Sequence, residues 1–155
     1  SLSVKNYKKE DGLIDNYVSS VIETQKGEIL LTSSGNGLNV YKNGQLENYH
    51  VENLPEKIDR MDGLFQDQNG TIWLAVLIDN RYYIGRIKNH KYLGSTYVHG
   101  AINEIKENQY DGYIYVGTST NLYRIEKDFS LKKVFNKNNC FYLVICVPVF
   151  PLNAL

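Results

Sequence analysis

Three glycines, Gly27, Gly70 and Gly112, set the frame for this chain, because each closes a polar hairpin signal between two apolar runs. They lie 43 and 42 positions apart. The clearest copy is Phe65-Gln66-Asp67-Gln68-Asn69-Gly70-Thr71-Ile72-Trp73-Leu74-Ala75. It reads as strand, hairpin, strand, and its Asn-Gly pair suits a tight turn that needs positive φ. Val18 to Glu23 leads in the same way through Lys26-Gly27 into Ile29 to Ser33. Ile102 to Glu107 leads through Asp111-Gly112 into Ile114 to Ser119. A period of roughly 40–50 residues made only of strand signals is the mark of propeller blades.

That period divides the chain as follows. Residues 1–16 hold an outer strand of a truncated preceding blade, Leu2 to Tyr7, and a connection carrying Asp11-Gly12-Leu13. Blade one covers 17–59, blade two 60–101 and blade three 102–139, each a meander of four short strands without a crossover helix. Within blade two, Met61 and Leu64 take the places of Val18 and Val21, and Tyr82 to Ile87 is the third strand. In blade three the outer strand holds Phe129, Leu131, Val134 and Phe135, with imperfect alternation at Leu131-Lys132-Lys133-Val134. The fold class expected is therefore all-β, a β-propeller fragment of about three antiparallel four-stranded blades that does not close a ring, since rings take roughly 4–8 blades. Residues 140–155 break the pattern: Cys140 to Phe150 is uncharged and turnless, interrupted by Pro148 and followed by Pro151. It is either the start of a fourth blade or an aberrant end, and it falls short of the ~20 residues that a membrane helix needs.

Composition narrows the function classes. Seventeen basic residues balance seventeen acidic ones, so nucleic acid is not an expected partner. Cys140 and Cys146, the two cysteines, both fall in the last sixteen residues, which is neither a disulfide framework nor a metal site. His50, His90 and His99 have no ligand spacing. Neither a nucleophile elbow nor a phosphate-cradling loop occurs. Asp67 to Trp73 resembles the Asp-box of sialidase propellers, with two residues between Asp67 and Gly70 where that motif has one. An Asp-box stabilises a turn, so Asp67 is expected to be structural. These residues predict no cofactor, no metal and no catalysis in this chain.

Thirteen tyrosines and one tryptophan invite a carbohydrate reading. Strand propensity instead places Trp73, Tyr41, Tyr115 and Tyr123 in the packing between blades. The ligand-binding candidates come from topology. A four-stranded meander alternates its turns between two faces, so the connections between blades and the second turn of each blade share one. That face carries Arg60, Arg81, Asn80, Asp79, Asn36 and His99, together with Asn16 and Asn121. Arg60 and Arg81 lead the set because guanidinium forks bind carboxylates or sugar hydroxyls in pairs of hydrogen bonds.

The repeats resemble a known family. Asn16-Tyr17-Val18-Ser19-Ser20-Val21-Ile22-Glu23 with Gly27 and Leu30, Asn69-Gly70-Thr71-Ile72-Trp73-Leu74-Ala75, and Asp111-Gly112-Tyr113-Ile114-Tyr115-Val116-Gly117-Thr118 each match part of the two-component regulator propeller repeat. Asp11-Gly12-Leu13 matches that family's Gly-Leu lead into the inner strand. Leu30 and Tyr115 stand where the family prefers Trp, and Thr32 and Ala75 where it prefers Gly. The resemblance implies a sensor: the ligand-sensing propeller portion of a bacterial two-component receptor, on the periplasmic or extracellular side of the inner membrane. Its ligand would be an oligosaccharide, and its partners the missing blades and the kinase portion of the parent chain. A generic propeller scaffold for protein–protein interaction is the alternative, and a propeller enzyme a third class. Exposed blade edges would add self-association.

Overall fold

The structure, a computed structural model, describes residues 4–33 and 37–136. The chain is all-β, with twelve strands in three antiparallel four-stranded sheets and one 3-10 turn at Lys9–Asp11. Sheet one contains β1 (Val18–Glu23), β2 (Ile29–Ser33), β3 (Leu38–Lys42) and β4 (Gln45–Tyr49). Sheet two contains β5 (Arg60–Gln66), β6 (Ile72–Ile78), β7 (Arg81–Lys88) and β8 (Lys91–Val98). Sheet three contains β9 (Ile102–Glu107), β10 (Ile114–Thr118), β11 (Asn121–Ile125) and β12 (Leu131–Asn136). Each sheet is a simple meander, and together they are three blades of an unclosed β-propeller.

Local chemistry explains the turns. Asn43-Gly44, Asp79-Asn80 and Asn89-His90 each have positive φ at both residues. They are the two-residue hairpins whose twist matches that of the strands, and Asn and Asp tolerate that conformation best after glycine. The Asn69-Gly70 hairpin differs from the expected tight turn, because only Gly70 has positive φ. Its loop is longer, closed by Asp67 N–H to the Thr71 carbonyl at 2.9 Å and Gly70 N–H to the Asp67 carbonyl at 3.0 Å. The Asp67 carboxylate drives this choice. Oδ1 accepts the Asn69 and Thr71 amides, both at 2.9 Å, and Oδ2 accepts the Trp73 indole N–H at 2.8 Å. Asp67 is thus the turn stabiliser that its motif implied.

Two apolar seams join the blades. Leu30, Leu38 and Val40 of blade one meet Met61, Leu64, Ile72, Leu74 and Val76 of blade two. Trp73, Ile84 and Val98 of blade two meet Ile105, Ile114, Val116 and Tyr123 of blade three. The period-two alternation of a strand divides each sheet between its neighbours in this way. Inner strands β1 and β5 are linked by side chains without a backbone ladder. Ser19 Oγ donates to the Met61 carbonyl at 3.0 Å, and Leu64 N–H donates to Ser20 Oγ at 3.0 Å.

Several sequence expectations need correction. The outer strand expected over Leu2–Tyr7 does not form in its described part, since residues 4–8 carry no strand. An outer strand exists only against a partner, and none stands beside it among the described residues. The segment instead crosses the outward face of blade one, tied down by the buried Asn39 side chain. Asn39 accepts the Ile14 amide at 3.0 Å and donates to the Gly12 and Glu47 carbonyls at 2.9 and 3.1 Å. Phe129 is not in the outer strand of blade three. It occupies the β11–β12 turn with φ 65°, a place where glycine is usual. The imperfect alternation in β12 is a bulge, because Tyr123 pairs with Lys133 but Leu122 pairs with Phe135. The apolar stretch Cys140–Phe150 and its two readings lie outside the described residues.

Candidate functional site

Connections between blades dock on the second turn of the blade they lead into. Asp59 N–H donates to the Leu77 carbonyl at 2.9 Å, and the Asp59 carboxylate accepts the Asp79 amide at 2.8 Å. In blade three, Ser119 N–H donates to the Ala101 carbonyl at 2.9 Å. The loop face expected from topology is therefore assembled from these elements.

Its candidates fare unequally. Arg60 begins β5 and Arg81 begins β7, at the same end of blade two, with Asp79 and Asn80 in the turn beside Arg81. Arg60 is held in place: Nη2 donates to the Tyr82 hydroxyl at 3.0 Å, and Nε lies 2.5 Å from the Asp62 carboxylate. Arg81 is exposed and has no ion pair among the described residues. Asp79 pairs with Lys57, whose hydrogen bond and charge hold the carboxyl below its usual range, while Asp79 raises Lys57 in return. Asn80 is exposed, and His99 is exposed at the end of β8. Asn16 is exposed and accepts the Lys9 amide at 2.8 Å. Asn121 is buried and bound to Thr118 and Thr120, so it braces a turn. Asn36 lies outside the described residues.

Aromatic placement divides by face. Trp73 and Tyr123 are buried between blades two and three, as strand propensity suggests. Tyr41 and Tyr115 are only half-buried, because their register puts them on the outward faces of blades one and three. Among the described residues no group of three His, Cys, Asp or Glu side chains could hold a metal ion. No helix among them is long and apolar enough to cross a membrane. A concavity lies at the other end of the strands. A cleft of about 590 Å³ between blades two and three is lined by Arg86, Lys88, Tyr113 and Phe129 among others. Sequence reasoning missed it, because alternation alone does not show which strand residues stay uncovered where two blades part.

No protein-family model matches the chain, and no curated protein matches it. Solved structures do. The chain is similar to virginiamycin B lyase from Staphylococcus aureus as a selenomethionine-substituted crystal structure, with a TM-score of 0.63 and 19% identity over 83% of this chain and 44% of that one. A catalytically inactive form of the same lyase with quinupristin gives 0.60 and 19%, over 79% of this chain and 42% of that one. A protein of unknown function from Bacteroides caccae gives 0.54 and 18%, over 77% and 46%. The chain thus spans less than half the length of each. These likenesses establish the propeller fold and leave the two-component repeat resemblance without a matching family. They also overturn the ground for expecting no chemistry here, since two of these structures, alike in fold, are of an enzyme. The motif search was a poor guide here, because a propeller site collects single residues from separate loops and leaves no linear spacing.

Proposed function

We propose that the chain is the ligand-recognition portion of a larger β-propeller receptor, with Arg60, Asp79, Asn80, Arg81 and His99 on the contacting face. The observation that carries this reading is Arg81, exposed at the same end of blade two where Arg60 is anchored. Arg60 is oriented by Tyr82 and Asp62, while the donors of Arg81 are unspent among the described residues. An uncommitted guanidinium suits the carboxylates and hydroxyls of a glycan-derived ligand. The repeat resemblance supports a two-component receptor whose kinase portion and further blades lie elsewhere in the parent protein, with this part outside the inner membrane. Titration calorimetry of the full chain against acidic and neutral oligosaccharides tests the reading. Arg81→Ala is expected to weaken a binding sugar by about tenfold, as for a lost charged hydrogen-bond pair. A panel without any saturable heat, or an affinity that ignores Arg81, would sink it.

A second reading, a scaffold for protein partners, draws on one feature: the outward face of blade one is apolar and partly exposed at Tyr17, Val18 and Val21.

A further inference from the structure

Arg86 sits two residues before the end of β7, opposite Trp73 on β6 and Gly94 on β8. The adjoining positions of this face pack Ile84, Val98 and Trp73 against blade three, yet here the row holds a cation. Its guanidinium carbon lies 3.4 Å from the centroid of the Phe129 ring. Trp73 extends the aromatic wall, 6.5 Å from Phe129 between centroids. Gly94 leaves the β8 side of the guanidinium bare, since a Cβ there would stand 3.7 Å from Nη2.

Among the described residues no carboxylate answers this charge. Among the described residues Arg86 has no ion pair. The acids that line the same cleft are committed elsewhere. Asp67 holds its own turn and Trp73, and Glu126 holds Arg124 at 2.7 Å. Glu107 accepts the Gln68 amide at 3.0 Å, and Asp111 accepts the Tyr115 hydroxyl at 2.8 Å. Lys88 follows Arg86 by two residues, hence on the same side of the sheet, and also lines the cleft. Burial pulls the Arg86 guanidinium below its usual pKa, the direction expected of a cation partly withdrawn from water.

We infer that the cleft between blades two and three binds small organic carboxylates that carry an aromatic ring or a sugar face. Arg86 supplies the fork for the carboxylate, Lys88 adds a second positive charge, and Phe129 supplies the flat apolar wall. About 590 Å³ is room for one such molecule. The site lies at the opposite end of the strands from the Arg60 and Arg81 loops, so it stands or falls apart from the function proposed above.

The test is an NMR titration of the isotope-labelled full chain with digalacturonate and with benzoate, each against its methyl ester. Saturable shifts at Arg86, Tyr113 and Phe129 with at least one acid, and none with its ester, are expected. The arm that responds tells a sugar acid from an aromatic acid. Arg86→Met keeps the stem over Phe129 and removes the donors, and should weaken binding by about tenfold or more. Lys88→Gln, at the rim, should weaken it by about two- to fivefold. Silence from both acids, equal binding of the esters, or full affinity in Arg86→Met overturns the inference. Should Arg86→Met fail to fold, full affinity in Lys88→Gln overturns it instead.

Discussion

Blade one and blade three each turn one face away from blade two, and the two faces are chemically unlike. On blade one that face carries Val21, Ile29, Leu31, Tyr41 and Leu46, with a shallow apolar groove of about 270 Å³ reached by Tyr7 and Leu13. On blade three it carries Glu104, Lys106, Tyr115, Arg124 and Lys132. Those charges satisfy one another: Lys106 lies 3.6 Å from Glu104, Arg124 lies 2.7 Å from Glu126, and the Arg124 guanidinium covers the Tyr113 ring. Equivalent repeat positions make the contrast quantitative. Val21, Leu64 and Ile105 are 58%, 7% and 2% exposed. Leu64 and Ile105 are covered by the preceding blade, and Val21 has none among the described residues. The apolar face therefore has the composition of a blade-to-blade seam, whereas the charged one is suited to water. Sheet chemistry, read face by face, distinguishes a surface made for stacking from one made for solvent.

The sharpest way to break that comparison uses neighbours on one strand. Leu30 points into the seam with blade two and Leu31 to the outward face. Leu30→Ala should cost about 2–5 kcal/mol of unfolding free energy, and Leu31→Ala less, because Leu31 is only partly buried and its side of the sheet opens to water. Denaturant unfolding of both variants checks it, and equal losses would mean that the outward face is in fact covered. Next in size is Asn39→Ala, which removes three part-buried hydrogen bonds from a buried side chain and should cost about 1–3 kcal/mol. It should also free the strap at Gly12–Ile14 and promote self-association, visible by sedimentation. A monodisperse variant would show that the strap does not shield this face.

The smallest effect concerns the loop face. Asp79 is depressed by Lys57, so its contribution to stability is present above the ordinary carboxylate range and fades as pH falls through the lowered value. Lys57 is raised, so its share is present below the usual ammonium range and fades as pH rises through the raised value. Both groups are fully exposed, so Lys57→Ala should leave the melting temperature unchanged while Asp79 titrates at higher pH. An NMR titration of the Asp79 carboxyl that does not move would contradict the pairing.

The blades were legible because hairpin chemistry is local. Gly27, Gly70 and Gly112 all have positive φ, and the strands around them fall where alternation puts them. What depends on neighbours was not legible. Leu2 to Tyr7 has the composition of a strand, but a strand needs an edge to pair with. Phe129 was assigned to β12 because nothing in a sequence marks a phenylalanine for a turn position that favours glycine. At the loop face, Arg60, Asp79 and Arg81 stand at one end of blade two, yet topology could not show that Asn121 spends itself on Thr118 and Thr120. Tyr82 to Ile87 is legible as a strand, but only the position of Phe129 reveals what surrounds Arg86.

The connection from blade one to blade two has a consequence for anyone who would cut and paste this molecule. Glu52 exchanges backbone hydrogen bonds with His90 and Tyr92, and Asp59 with Leu77, so the linker is fastened to the blade ahead of it along its length. Gly12 to Ile14 and Ala101 are fastened forward in the same way, on Asn39 and Ser119. The transplantable cassette thus begins near Val51 and ends near Val98. A graft that starts at Arg60 would leave its own clasp behind in the donor.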